Sequence, residues 1–197
     1  MMTGRTRRPQ DHFGHKAKRE GYPARSVYKL EEIDRRLQLL RRGQRVLDLG
    51  AAPGSWVLYA ADKVGREGKV LGIDLNEARI TLPPQASFRA LDVFAADLPA
   101  ELGPASFDVV LSDMAPHTSG QKHRDQFRSY ELYMRALEIA RAVLAPGGSF
   151  LGKIFQGPEI ESARAATREA FAKVKTFKPE ASRSESFEIF LAGTGHR

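Results

Sequence analysis

"VLDLGAAPGSW", residues 46–56, opens like a buried strand and closes on residues with almost no side chain. Val46, Leu47 and Leu49 suit a strand covered on both faces, as in a parallel sheet. Gly50, Ala51, Ala52, Pro53 and Gly54 then leave room at a turn for a ligand to approach the backbone. Outward from that stretch, apolar runs alternate with helical periodicity. The spacing predicts strands at 45–50, 69–75, 87–93, 107–113 and 148–155. It predicts helices at 54–64, 127–144 and 159–172, with a weaker one at 95–102. Two closing β-rich runs, 173–178 and 186–192, are too close together for a crossover helix and should pair antiparallel. The pattern is that of an α/β fold, a mainly parallel, doubly wound sheet with a final antiparallel strand. The chain of 197 residues suits one domain and shows no internal repeat.

In such a sheet a ligand sits beyond the carboxyl ends of the strands, near the switch in strand order. Those ends carry Asp48, Asp74, Asp92 and Asp113, and the fifth strand carries Lys153. One strand-end Asp is commonly a turn or cap residue, but several polar groups along one edge point to a site. Asp74 lies 24 residues after Gly50, where a carboxylate can accept hydrogen bonds from a ribose diol. Asp92 suits hydrogen bonding to an adenine amino group. A nicotinamide dinucleotide and S-adenosylmethionine both fit this outline. Ala52 stands where the dinucleotide fingerprint needs its second glycine, which argues against a pyrophosphate.

Composition narrows the chemistry. The sequence has no cysteine, which removes disulfides, thiolate metal sites and a cysteine nucleophile, and with it the usual route to pyrimidine carbon-5 methylation. The five histidines show no metal-ligand spacing, and no metal is expected. No apolar run approaches a membrane span, so a soluble, cytoplasmic protein is expected. Net charge is +7 and unevenly placed. Residues 1–45 hold 13 Lys+Arg against 5 Asp+Glu, and residues 46–197 hold 18 against 19. Residues 1–10 read as a flexible basic tail within a basic arm, 1–23; a single domain, 24–197, follows. Val27, Leu30, Ile33 and Leu37 predict an amphipathic helix from Ala24 to about Leu40.

Taken together and in order, "VLDLGAAPGSW", "LSDMAP", "LAPGGSFLGKIFQG" and "KPEASRSESFEIF" resemble the FtsJ/RrmJ family of S-adenosylmethionine-dependent RNA 2′-O-methyltransferases. The amino-terminal "DHFGHKAKREGYPARSVYKLEEID" resembles it too, so the likeness spans nearly the whole chain. The resemblance implies a Rossmann-like methyltransferase fold with S-adenosylmethionine bound at Gly54, Trp56, Asp74, Asp92 and Asp113. It also implies a catalytic tetrad of Lys29, Asp113, Lys153 and Glu188. Departures are small: Ser55 replaces the second glycine before Trp56, and Phe187 and Phe190 flank Glu188 and Ile189. The implied substrate is a ribose, in a uridine of large-subunit ribosomal RNA, with transfer RNA as the alternative. A monomer without membrane contact is expected.

The chemistry explains why such residues would be gathered. A ribose 2′-hydroxyl is a weak acid, so it must be aligned with the methyl group and relieved of its proton. A lysine amine is ordinarily protonated near neutrality and then cannot act as a base. A neighbouring cation favours the free amine, so Lys29 beside Lys153 is what the chemistry asks for. Lys153 is the expected general base, with Lys29, Asp113 and Glu188 as orienting and electrostatic groups. A structural ion-pair cluster is the competing explanation. "DMAPH" lacks the Pro-Pro-aromatic run common in amino-group methyltransferases. Trp56 is expected to contribute mainly by packing. Arg5, Arg7, Arg8, Lys16, Lys18, Arg19 and Arg25 can neutralise RNA phosphates, with His12, Phe13 and Tyr22 placed for stacking on bases. Arg35, Arg36, Arg41 and Arg42 are expected to face solvent. The rival readings are a nicotinamide oxidoreductase and an RNA-binding protein without turnover.

Overall fold

A computed structural model describes residues 12–78, 80–183 and 186–197. Arg5, Arg7 and Arg8 lie outside them. The described chain runs α1 (His12–Arg19), α2 (Val27–Leu37), β1 (Arg45–Leu49), α3 (Ser55–Val64), β2 (Lys69–Asp74), β3 (Ala86–Ala90), α4 (Leu98–Leu102) and β4 (Phe107–Ser112). It continues with α5 (Lys122–Val143), β5 (Leu144–Phe155), α6 (Ile160–Ala170), β6 (Phe171–Phe177) and β7 (Glu188–His196). The seven strands form one sheet in the order β3-β2-β1-β4-β5-β7-β6. β1 to β5 pair in parallel, and β7 is antiparallel to both β5 and β6. The chain winds outward from β1 in two directions, so the switch in strand order falls between β1 and β4, beside the Gly50 turn.

Two apolar layers sandwich the sheet. On one face Val27, Leu30 and Ile33 of α2 and Trp56, Val57 and Ala60 of α3 bury against Val46, Val109 and Leu151. On the other, Tyr133, Leu137 and Ala140 of α5 and Ala163 of α6 bury against Leu47, Val110 and Phe150. Neighbouring strand residues thus face opposite layers, as the period of two requires, and both layers are apolar.

Element bounds shift by up to five residues from the sequence expectation, as at the start of α5, and two departures have a specific structural reason. The helix beginning at Ala24 instead begins at Val27, because Ala24 and Ser26 are tied to α3: Ser55 Oγ accepts from Ala24 N at 2.8 Å and donates to Ala24 O at 3.1 Å, while Trp56 Nε1 donates to Ser26 O at 2.9 Å. The arm contains α1, seated on α2: Ala17 is buried, Phe13 stacks at 5.6 Å on Tyr28, and Tyr28 Oη donates to Glu20 Oε2 at 2.8 Å. Phe13 and Tyr22 are partly buried against the core. No described helix is long and apolar enough to cross a membrane.

Candidate active site

The Gly50 turn closes around the end of β1 as the small residues predict. Gly50 has φ +76° and Gly54 has φ +108°, a region that side chains rarely adopt. A Cβ on Gly50 would strike Met114, and one on Gly54 would strike Ile80. Asp74, at the end of β2, ties this turn down: its Oδ2 accepts from Ala52 N at 3.1 Å, and its Oδ1 accepts from Asn76 N at 2.8 Å. Asp92 lies two residues beyond β3 rather than on it, is exposed, and accepts from Phe94 N at 2.9 Å. Leu91 N donates to Asp74 O at 2.9 Å, which brings the two acid-bearing segments together. The residue after Asp74 and the second after Asp92, Leu75 and Phe94, are left 71% and 55% exposed. Asp113 follows β4 directly and faces the same end of the sheet.

Asp48 belongs to this edge and is missing from the expected site residues. It is 1% exposed, and neither oxygen has a hydrogen-bond partner among the described residues. Burial, then the charges of Asp113 and Asp74, push its carboxyl well above the usual range. The strand-end acid was visible in the sequence, but nothing in the pattern said that its side chain would be sealed and without a donor.

The four expected catalytic residues converge as two linked ion pairs. Lys153 Nζ lies 3.0 Å from Asp113 Oδ1 but directs its hydrogen bond to the Asp113 carbonyl oxygen at 2.7 Å, leaving Oδ1 paired in charge without a donor. Lys29 Nζ lies 2.6 Å from Glu188 Oε1. Burial pushes the Glu188 carboxyl upward, but Lys29, and after it Ser182 and Lys153, outweigh it and hold the group below the usual range. Lys153 acting on Glu188 is what joins the pairs. The sheet sets this geometry: Phe155 pairs with Glu188 and Lys153 with Phe190 across β5 and β7. Lys29 arrives from α2, its amine 5.9 Å above the Phe190 ring. Lys29, Lys153 and Glu188 line a cavity of about 300 Å³, together with Arg25, Phe155 and Ser186.

The remaining residues fall into place around this centre. Trp56 is buried, its ring 5.9 Å from Phe190, and its N–H secures the segment that leads into α2. Arg25 reaches the cavity and donates to Ala181 O at 2.9 Å. Chemically, the edge offers acceptors without donors (Asp48, Asp113 Oδ1), two acids beside exposed apolar side chains, and a buried lysine next to a second cation. That set fits S-adenosylmethionine, which carries an ammonium and a sulfonium, ribose hydroxyls and an adenine ring.

The chain is 55% identical over 183 residues to the ribosomal RNA large subunit methyltransferase E of Sorangium cellulosum, covering 93% of this chain and 86% of that one. It is 51% identical to the protein of the same name from Oleidesulfovibrio alaskensis, covering 95% and 92%. A crystal structure from Plasmodium falciparum, described as a ribosomal RNA methyltransferase, shares the fold with a TM-score of 0.78 at 24% identity, over 89% of this chain and 98% of that one. Residues 22–196 match the FtsJ-like methyltransferase family, and the chain belongs to that family.

Proposed function

We propose that the chain methylates a ribose 2′-hydroxyl, that of a uridine in large-subunit ribosomal RNA, using S-adenosylmethionine, and that it works as a monomer. The observation that carries this is the Lys29–Glu188 and Lys153–Asp113 pairing, with three of its four members facing one cavity. Asp74, Asp92, Asp113 and the turn at Gly54 and Trp56 would hold the cofactor, which when bound supplies an activated sulfonium methyl. Lys153 Nζ takes the proton from the 2′-hydroxyl. Glu188 holds Lys29, and Asp113 holds Lys153, so that both amines are fixed in place at one site. Burial of Lys153, 6% exposed, keeps bulk water from supplying the proton back. The relatives named for ribosomal RNA support the substrate class.

Incubating the protein with methyl-labelled cofactor and separate ribosomal subunit, free ribosomal RNA and transfer RNA fractions tests the reading. The expected result is label on one ribose of large-subunit RNA, absent with Lys153→Ala. Label on transfer RNA alone would replace the substrate, and label on a base would overturn the chemistry.

A further inference from the structure

The reaction edge accounts for the carboxyl ends of the strands, but the opposite edge carries a second opening. A cleft of about 640 Å³ lies where α2 ends and β5 begins. Arg36 and Arg41 form one wall, Lys173 and Lys175 of β6 the other, and the turn at Gly147 and Gly148 lies between them. Arg41, Lys173 and Lys175 have no ion-pair partner among the described residues, while Arg36 pairs with Glu32 at 2.9 Å. The one acid lining the cleft, Asp108, is held by Arg45 at 2.9 Å and by the Arg45 backbone N–H at 2.8 Å. The cleft is therefore net positive. Its floor is open as well: β5 pairs with β4 at Leu144 and again only from Ser149, and β7 joins at Ser149. Ala145–Gly148 therefore has no ladder partner on either side, and Gly147 has open space where a side chain would stand.

Lysines on an edge strand also discourage strand-to-strand association, and β6 is an edge. That explains charge on β6. It does not explain why Arg36, near the end of α2, and Arg41, in the loop that follows, line the same small-residue groove as those lysines. The geometry points to a second RNA-binding site: this cleft holds backbone phosphates of the substrate RNA, away from the nucleotide that reacts. The inference rests on the proposed RNA substrate. From Gly147 to Lys153 along β5 is about 20 Å at about 3.3 Å per residue. One RNA reaching both places must be folded or several nucleotides long.

The test is the double variant Lys173→Glu, Lys175→Glu, measured against the wild type on the RNA that the wild type methylates. Glutamates keep charge on the edge strand, so protection against association is retained while attraction for phosphate is reversed. The expected result is weaker RNA binding, with the slope of log affinity against log salt reduced by about 0.7–0.9 for each phosphate no longer neutralised. Cofactor affinity by calorimetry and the single-turnover rate at saturating RNA should stay at the wild-type level. Arg41→Glu, on the opposite wall, should lower the slope by about 0.7–0.9 and provides a separate measurement if the double variant does not fold. Unchanged affinity and slope in folded variants would overturn the cleft while leaving the proposed reaction standing. Loss of binding to an acidic protein, with RNA binding intact, would overturn it as well. A wild type that methylates no RNA would instead overturn the proposed function.

Discussion

Asp48 makes stability depend on pH. Its carboxyl is harder to ionise in the folded chain than in the unfolded one, because burial and then Asp113 and Asp74 oppose the charge. Below the unfolded value, about 3.9 for Asp, both states are protonated and the group costs nothing. As pH rises, the unfolded chain ionises first, and stability falls until the folded value is reached. Asp48→Asn should remove this loss. The variant should melt above the wild type at pH 7, with the gap closing toward pH 4. A tenfold difference in acidity between the states is worth about 1.4 kcal/mol, roughly 3–5 °C in a domain of this size. Equal melting curves at pH 7 would mean that a donor reaches Asp48. Lys153 gives the matching kinetic prediction. Lys153→Ala should keep the fold and cofactor binding but slow transfer by about 10²–10⁴. Lys153→Arg should fail too, since guanidinium stays protonated and cannot take the hydroxyl proton. An active arginine variant would leave Lys153 as a positioning group.

At the scale of elements, local patterns and long-range ties were not equally legible. The strands and most helices follow from periodicity, and the glycine turn from its lack of side chains, so the end of the sheet that carries the candidate site could be read directly. The segment before α2 could not, because its conformation is set by Ser55 and Trp56, about 30 residues away in the chain, and a window of neighbouring residues holds no trace of that. For the same reason α1 was missed. Eight residues with a mostly polar composition make a poor helix signal, and Ala17, Phe13 and Tyr28 supply the stability by packing. The proposed catalytic residues were legible only through resemblance, since Lys29, Lys153 and Glu188 lie on three elements and Asp113 just beyond a fourth, which the fold alone brings together. The tie between α3 and the start of α2 predicts an indirect effect. Trp56→Phe removes the donor to Ser26 O and should cost about 1–3 kcal/mol of stability. Lys29 follows three residues after Ser26, so transfer rate at saturating RNA should fall as well. A reduced rate beside the lost stability supports that role, and a fall in stability alone would confine Trp56 to packing.

At the scale of the whole molecule, charge is the property that links the parts. Residues 1–45 carry +8 and the remainder −1, yet the remainder places Lys173 and Lys175 opposite Arg36 and Arg41. A sum over sequence cannot show that, because the cleft is assembled from both ends of the chain. The arm is the other half of the balance. Lys16, Lys18 and Arg19 close α1, which is anchored on α2 near the reaction cavity, and Arg5, Arg7 and Arg8 precede it in sequence. If these arginines meet phosphates, their contribution is electrostatic and independent of base identity. Replacing Arg5, Arg7 and Arg8 with Ala should therefore weaken binding to every RNA alike and reduce the salt slope by about 0.7–0.9 for each phosphate released. Cofactor affinity should not move, since the residues proposed to hold the cofactor run from Gly54 to Asp113 and include none of the arm. Combined with charge reversal at Lys173 and Lys175, the reductions in slope should add, because the two groups would touch separate phosphates and share no partner. Reductions that fail to add would place both groups on the same stretch of RNA, and an unchanged slope would leave the three arginines as solvated surface.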